Sequence, residues 1–278
     1  MKHKVINHSF LSFLSKAEEP HANQSNCFSH MGPNDWAGPS LPVAASLARN
    51  GWPEGFKRMK EVTDLLAHEL KFASTKEEIV RDVEGQCPDV DAYLRGDPEC
   101  MFNVKEEYTE KKIITMQISV GIHAGITPEI IYWRGAVAVT IVNTLETKGF
   151  SVNLLVDYST GKYSPQMVSV VVPIKSAGQP LDLDRMAFLL AHPGSFRRLA
   201  FSIYEHQTDA ERHLTGFFTG LGYGTPDDPK IPGSDIHFSI QACHASDLES
   251  AKSEYNRWMG NLSSSLLQLA EKAQAENW

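Results

Sequence analysis

Cysteine pairs, long apolar runs and an excess of positive charge are all missing from this 278-residue sequence. Cys27, Cys87, Cys100 and Cys243 are widely spaced and form no CxxC pair, so reduced thiols are expected rather than a disulfide framework. Nothing approaches the roughly 20 consecutive apolar residues of a membrane helix. Met1–Leu14 carries Lys2 and Lys4, but its apolar stretch is too short for a signal peptide. A soluble protein resident in a cytoplasm, with no membrane partner, is the expectation. The formal net charge is −8. At first sight that argues against a polyanion partner, because nucleic-acid affinity comes mainly from Lys and Arg neutralising phosphates.

The charge is unevenly distributed, however. Residues 82–110 hold nine acids against Arg95 and Lys105, a net of −7, so the rest of the chain sums to about −1. A near-neutral body can carry a basic groove or none.

Catalytic and cofactor motifs are missing too. Gly161-Lys162 lacks the GxxxxGK[ST] frame and precedes a strand, so no helix N-terminus would face a phosphate. Gly220-Leu221-Gly222-Tyr223-Gly224 is not GxGxxG. A von Willebrand-like domain carries Asp-x-Ser-x-Ser after its first strand, where this chain has Ser119-Val120-Gly121-Ile122-His123. The turn-rich Asp89–Pro98 lacks EF-hand spacing, and Cys27 with His30 could join Cys243 with His244 in a zinc site only if the two ends of the chain met. His123, Asp157, Ser159 and Asp209 are the nearest acid-base candidates, but no spacing links them. No catalytic residue, metal or cofactor is therefore assigned.

What is present is a strongly patterned block at 113–174. Ile114, Met116, Ile118, Val120 and Ile122 alternate with polar or small residues, as a strand with one apolar face requires. Thr127, Pro128 and Glu129 then mark a helix start and Lys148-Gly149 a stop; most of the circumference between them is apolar, which predicts a buried helix. Val152, Leu154, Val156 and Tyr158 alternate again, as do Val168, Val170, Val172 and Ile174. The block predicts a β-α-β crossover followed by a hairpin. The expected fold is α/β: a central mixed β-sheet with a buried crossover helix, flanking helices and a long C-terminal helix.

Around that core, residues 1–30 read as an N-terminal arm that docks by its aromatics, and 31–110 as a helical, acidic segment packed on the core. Leu41 to Arg49 and a run from Phe56 to Leu70 have helical character, and Thr75 with Glu78 suggests a further helix ending near Gly85. The core spans 111–245. Within it a helix runs from Asp182 to His192, a strand is expected over Ala200–His206, a Gly- and Pro-rich loop over 216–234, and a last strand from Ile236. Residues 246–278 form the C-terminal helix, with Leu248, Tyr255, Leu262 and Leu269 seven apart on a stripe that could pack on the sheet or pair subunits.

What remains as a functional signal is aromatic residues interleaved with basic ones. Arg134 follows Trp133, Tyr158 and Tyr163 bracket Lys162, Arg197 and Arg198 follow Phe196, and Lys57, Arg58 and Lys60 cluster on a helix. Exposed rings can stack bases while Lys and Arg track phosphates, a single-strand surface. The same residues also suit a packed core and a solvated helix face.

Trp36-Ala37-Gly38-Pro39-Ser40, Ala48-x-x-Gly51-Trp52-Pro53-Glu54-Gly55, Gly85-x-x-Pro88-Asp89-Val90-x-x-Tyr93-Leu94-x-Gly96-x-Pro98-x-x-Met101, and Arg134-Gly135-Ala136 with Leu145-Glu146-x-x-Gly149 together resemble a family of tailed-phage proteins. Within it they look most like the single-stranded-DNA-binding RNA polymerase cofactors of N4-related phages. That resemblance implies binding to single-stranded DNA, self-association as a homo-oligomer, recruitment of a phage RNA polymerase and residence in the cytoplasm of an infected bacterial host. It brings no catalytic signature. The expectation is a noncatalytic transcription cofactor, and the alternative is a phage enzyme or host-takeover protein using the His123/Asp157 edge of the sheet.

Overall fold

A strand at the very start of the chain completes the central sheet. The computed structural model describes residues 2–21, 27–69, 79–85, 87–104, 112–123, 125–147, 149–161, 163–218, 222–223, 225–238, 249–250 and 253. Its main sheet uses β1 (Lys2–Asn7), β5 (Ile113–Ser119), β6 (Ser151–Thr160), β7 (Gln166–Lys175) and β10 (Ile236–Phe238) in the order β1-β7-β6-β5-β10. β5 pairs parallel with both β6 and β10, β6 pairs antiparallel with β7, and β1 runs parallel to β7. The sheet is mixed, as the alternation predicts.

The crossover helix α5 (Pro128–Thr147) connects β5 to β6 and is buried around nearly its whole circumference, from Ile130 to Leu145. Gly135 explains how closely its neighbour approaches: a Cβ there would stand 2.6 Å from the Cβ of Ala191, at the end of α6 (Leu183–Ala191). Asp182 caps α6 through the Arg185 N–H. α2 (Leu41–Asn50) and α3 (Pro53–Glu69) pack on α6, and α3 also on α5.

The expected N-terminal arm does dock, as β1 followed by α1 (Phe10–Ala17). Phe13 stacks on Tyr158 of β6 with ring centroids 5.2 Å apart, and it and Leu14 are fully buried. Each such side chain contributes about 1.5–3 kcal/mol through the area it hides from water.

Two local expectations are overturned. Residues 200–206 are not a strand: Ser195–Ala200 is a π-helical turn that continues into α7 (Phe201–Glu205), every residue of both being buried. With all sides covered, the helical period leaves no polar face to read, and Phe201, Ile203 and Glu205 alternate by accident. Residues 79–82, expected in a helix, form β2 (Ile79–Asp82), which pairs with β4 (Met101–Val104) beside β3 (Cys87–Pro88) in a small antiparallel sheet. The described part of the acidic segment thus belongs to a separate sheet carrying the short helix α4 (Val90–Leu94), capped by Asp89.

α8 (Asp209–Thr215), with a complete capping box at Thr208 and Glu211, leads to the short hairpin of β8 (Phe217–Phe218) and β9 (Gly222–Tyr223). Residues 249–250 and 253 are helical, and the rest of the predicted C-terminal helix lies outside the described residues. Among the described residues no helix is long and apolar enough to cross a membrane.

Candidate functional site

Period-two alternation gives each strand of the main sheet one apolar and one polar side, and register aligns them. Val156, Tyr158, Val170 and Val172 face the layer that holds α1, α6 and the π-turn, while Asp157, Ser159 and Ser169 face the other way. Four of the predicted nucleic-acid contacts are buried behind the apolar side.

Tyr158 is fully buried; its hydroxyl bonds to Ser195 Oγ at 2.7 Å, its ring lies between Phe13 and Phe196, and its carbonyl accepts from the Tyr204 hydroxyl. Arg134, 4% exposed, donates to the carbonyls of Val120 and Leu190. Arg197 donates to the carbonyls of Trp36 and His123 and lies 4.4 Å from the Trp36 ring centroid. Arg198 donates to the carbonyls of Phe28, Ser29, Gly32 and Gly38. The expectation that these residues meet DNA is corrected: all four are turned inward, and Arg197 and Arg198 hold residues 28–38 on the core. Burial lowers the pKa of Arg197 to about 10, which still leaves it charged at neutral pH.

The remaining predicted contacts stay outside. Lys57, Arg58 and Lys60 are exposed on α3, where Arg58 lies 5.3 Å from the ring centroid of Tyr132 on α5. Tyr163, in the β6–β7 hairpin, is 83% exposed. Lys162 lies outside the described residues. The hairpin and the first turns of α5 share one end of the sheet, because β5 and β6 are parallel and both run towards it.

The polar face carries a constellation of which sequence reasoning names only Asp157 and Ser159. One or two side chains from each strand join in a line across the sheet. His3 Nε2 bonds Ser169 Oγ at 2.7 Å; Ser169 bonds Ser159; Ser159 Oγ donates to Asp157 at 2.8 Å; Ser119 Oγ donates to Asp157 at 3.2 Å and meets His237 Nε2 at 3.1 Å. Gln117 Nε2 donates to Asp157 and to the Pro229 carbonyl, while its Oε1 accepts from the Ile231 N–H, so the 225–235 segment is fastened over the line. Gln117, Ser119, Asp157, Ser159 and Ser169 are all buried, whereas His3 is exposed and His237 half-buried, so the line reaches water at its two ends.

Burial raises the Asp157 carboxyl to about 7, against the opposing pull of its hydrogen bonds from Ser159, Ser119 and Gln117. Burial also lowers His237 to about 4, with Lys230 adding to the effect. At neutral pH the imidazole is uncharged and the carboxyl shares its proton. With Asp157 ionised every hydroxyl can point at it; with Asp157 protonated one arm reverses. The arrangement is not ordered as an acyl-transfer triad, since Ser119 stands between Asp157 and His237 whereas a base must stand between acid and nucleophile. His123 is not in the line: its carbonyl receives Arg197.

Each member of the line looks in sequence like an ordinary outward polar residue of an alternating strand, and only the pairing register brings them together. A second cluster joins His21, His30 and Glu205, whereas sequence spacing pairs His30 with Cys27 and points to Cys243 and His244, which lie outside the described residues. A family model described as a domain of unknown function (DUF7192) matches residues 4–262. No curated protein and no solved structure matches the chain.

Proposed function

We propose that this chain, which belongs to the DUF7192 family, is a noncatalytic single-stranded-DNA-binding protein serving as a cofactor of a phage RNA polymerase. The observation that carries the reading is the exposed set Lys57, Arg58 and Lys60 on α3, with Tyr132 beneath Arg58 and Tyr163 projecting at the same end of the sheet. Cations on an exposed helix face can follow phosphates, and a ring exposed over four-fifths of its surface can stack a base without disturbing the core. The acidic small sheet keeps polyanion off another part of the surface. The resemblance to polymerase cofactors of tailed phages supports the same reading, as does the apolar heptad stripe Leu248, Tyr255, Leu262 and Leu269 for self-association. The setting is the cytoplasm of an infected bacterium.

The enzyme alternative at the His123/Asp157 edge has less support, because Asp157 is fully buried and bonds Ser119 rather than the His237 imidazole, so it does not orient that base as the acid of a triad would. Fluorescence anisotropy with labelled single-stranded and duplex oligonucleotides tests the proposal. Binding of the single strand that weakens steeply with salt supports it, and equal or absent binding of both forms rejects it. Light scattering on the same sample reads self-association as a mass above 30.9 kDa.

A further inference from the structure

Glu205 ends α7 with its carboxylate fully buried, and burying a carboxylate is costly unless it is well partnered. Its oxygens accept from the Ser29 N–H and the Ser29 hydroxyl. Two imidazoles stand against it. His21, whose side chain is 3% exposed, and His30 come from the segment that follows α1, and one ligand atom from each of the three residues lies within 4.8 Å of the others. His21 Nε2 and Glu205 Oε2 are 3.7 Å apart. That is too long for a strong hydrogen bond and close to the roughly 3.3–3.6 Å that separates two ligands of one tetrahedral zinc at about 2.0–2.2 Å.

We propose that His21, His30 and Glu205 bind one divalent transition-metal ion of the zinc class, pinning His21 and His30 to α7. Two imidazole nitrogens and a carboxylate form a donor set that zinc accepts, with a fourth position left for water or a thiolate. Cys27 stands beside it, its thiol hydrogen-bonded to Glu205. Neighbouring groups fix the rings: Ser29 Oγ holds His30 Nδ1 at 2.9 Å and the His206 ring stacks on His21 at 3.8 Å, while Ser202 Oγ, itself anchored on the Ala17 carbonyl, occupies His21 Nε2 at 2.9 Å. Binding exchanges the Ser202 contact for the ion and brings ligands from three places in the chain together. The ion acts as a clasp on the segment that Arg198 also holds, and this role stands independently of DNA binding.

The test uses the full chain, stripped with a chelator, dialysed and titrated with zinc sulfate against a chromophoric indicator. One equivalent should bind with sub-micromolar affinity and raise the melting temperature. His30→Ala and Glu205→Gln should each lose at least about tenfold in affinity, while Cys87→Ser, which removes an exposed thiol, should not. X-ray absorption on the zinc-loaded wild type needs no variant to fold, and it should show two imidazoles and at most one sulfur around the ion. No saturable binding by the wild type, unchanged affinity in a folded His30→Ala protein, or a shell dominated by sulfur would overturn the site.

Discussion

Phe196-Arg197-Arg198 and Lys57-Arg58-x-Lys60 look alike as sequence, each a compact cluster of cations near an aromatic ring, yet Arg197 and Arg198 are at most 2% exposed and the α3 set faces solvent. The difference lies in what surrounds them. Carbonyls of Phe28, Ser29, Gly32, Trp36, Gly38 and His123 converge on the buried pair, so its planar forks are filled by the protein's own backbone. Among the described residues nothing comparable converges on Lys57, Arg58 and Lys60, whose exposed heads can take acceptors from outside. A guanidinium is therefore a binding group only where the fold leaves its donors unclaimed.

The largest expected effect strikes the buried side of this comparison. Arg198→Ala leaves carbonyls of four residues short of a donor and should cost about 3 kcal/mol or more of unfolding free energy in urea titrations. Arg198→Lys, which cannot reproduce the fork, should recover only part of it. An unchanged midpoint in both variants would mean that the pair is not a clasp.

Tyr163→Ala probes the exposed side. Single-strand affinity should fall by about 1–3 kcal/mol while stability stays within about 0.5 kcal/mol, and Tyr163→Phe should keep most of the affinity because its π-face survives. Anisotropy and melting curves on the same two proteins read both quantities. Lost stability with intact affinity would reverse the assignment.

Fold and site differ in how far residues alone reveal them. The β5-α5-β6-β7 order follows from strict alternation, Pro128 and the stop at Gly149, all local signals. The destinations of Arg197 and Arg198 do not, because their acceptors lie in a segment some 160 residues earlier, and no local pattern encodes that approach. The cross-sheet line is hidden in another way: Ser119, Asp157 and Ser169 each satisfy the alternation of their own strand, and their meeting depends on register.

A smaller effect should appear in pH dependence. Asp157 titrates near 7 in the fold against an ordinary 3.8, so between those values the folded state keeps a proton that the unfolded chain releases. Its contribution to stability is complete below about pH 4 and is lost as pH rises through 7. His237, held near 4 instead of 6.5, works the other way: its contribution is present above about pH 6.5 and lost as pH falls through 4. The difference in unfolding free energy between wild type and Asp157→Asn should therefore shift steadily against the wild type from pH 4 to 7 and then level off. Parallel curves for the two proteins would contradict an Asp157 proton held by burial.

The central claim is that DNA meets the α3 cations and not the buried arginines, and the salt dependence of single-strand affinity tests it most directly. Each phosphate neutralised contributes about −0.7 to the slope of log affinity against log salt on a single strand. Replacing Lys57, Arg58 and Lys60 together by Ala should flatten that slope by about 2, with melting temperature unchanged. A triple variant that binds with the wild-type affinity and the wild-type slope would contradict the claim.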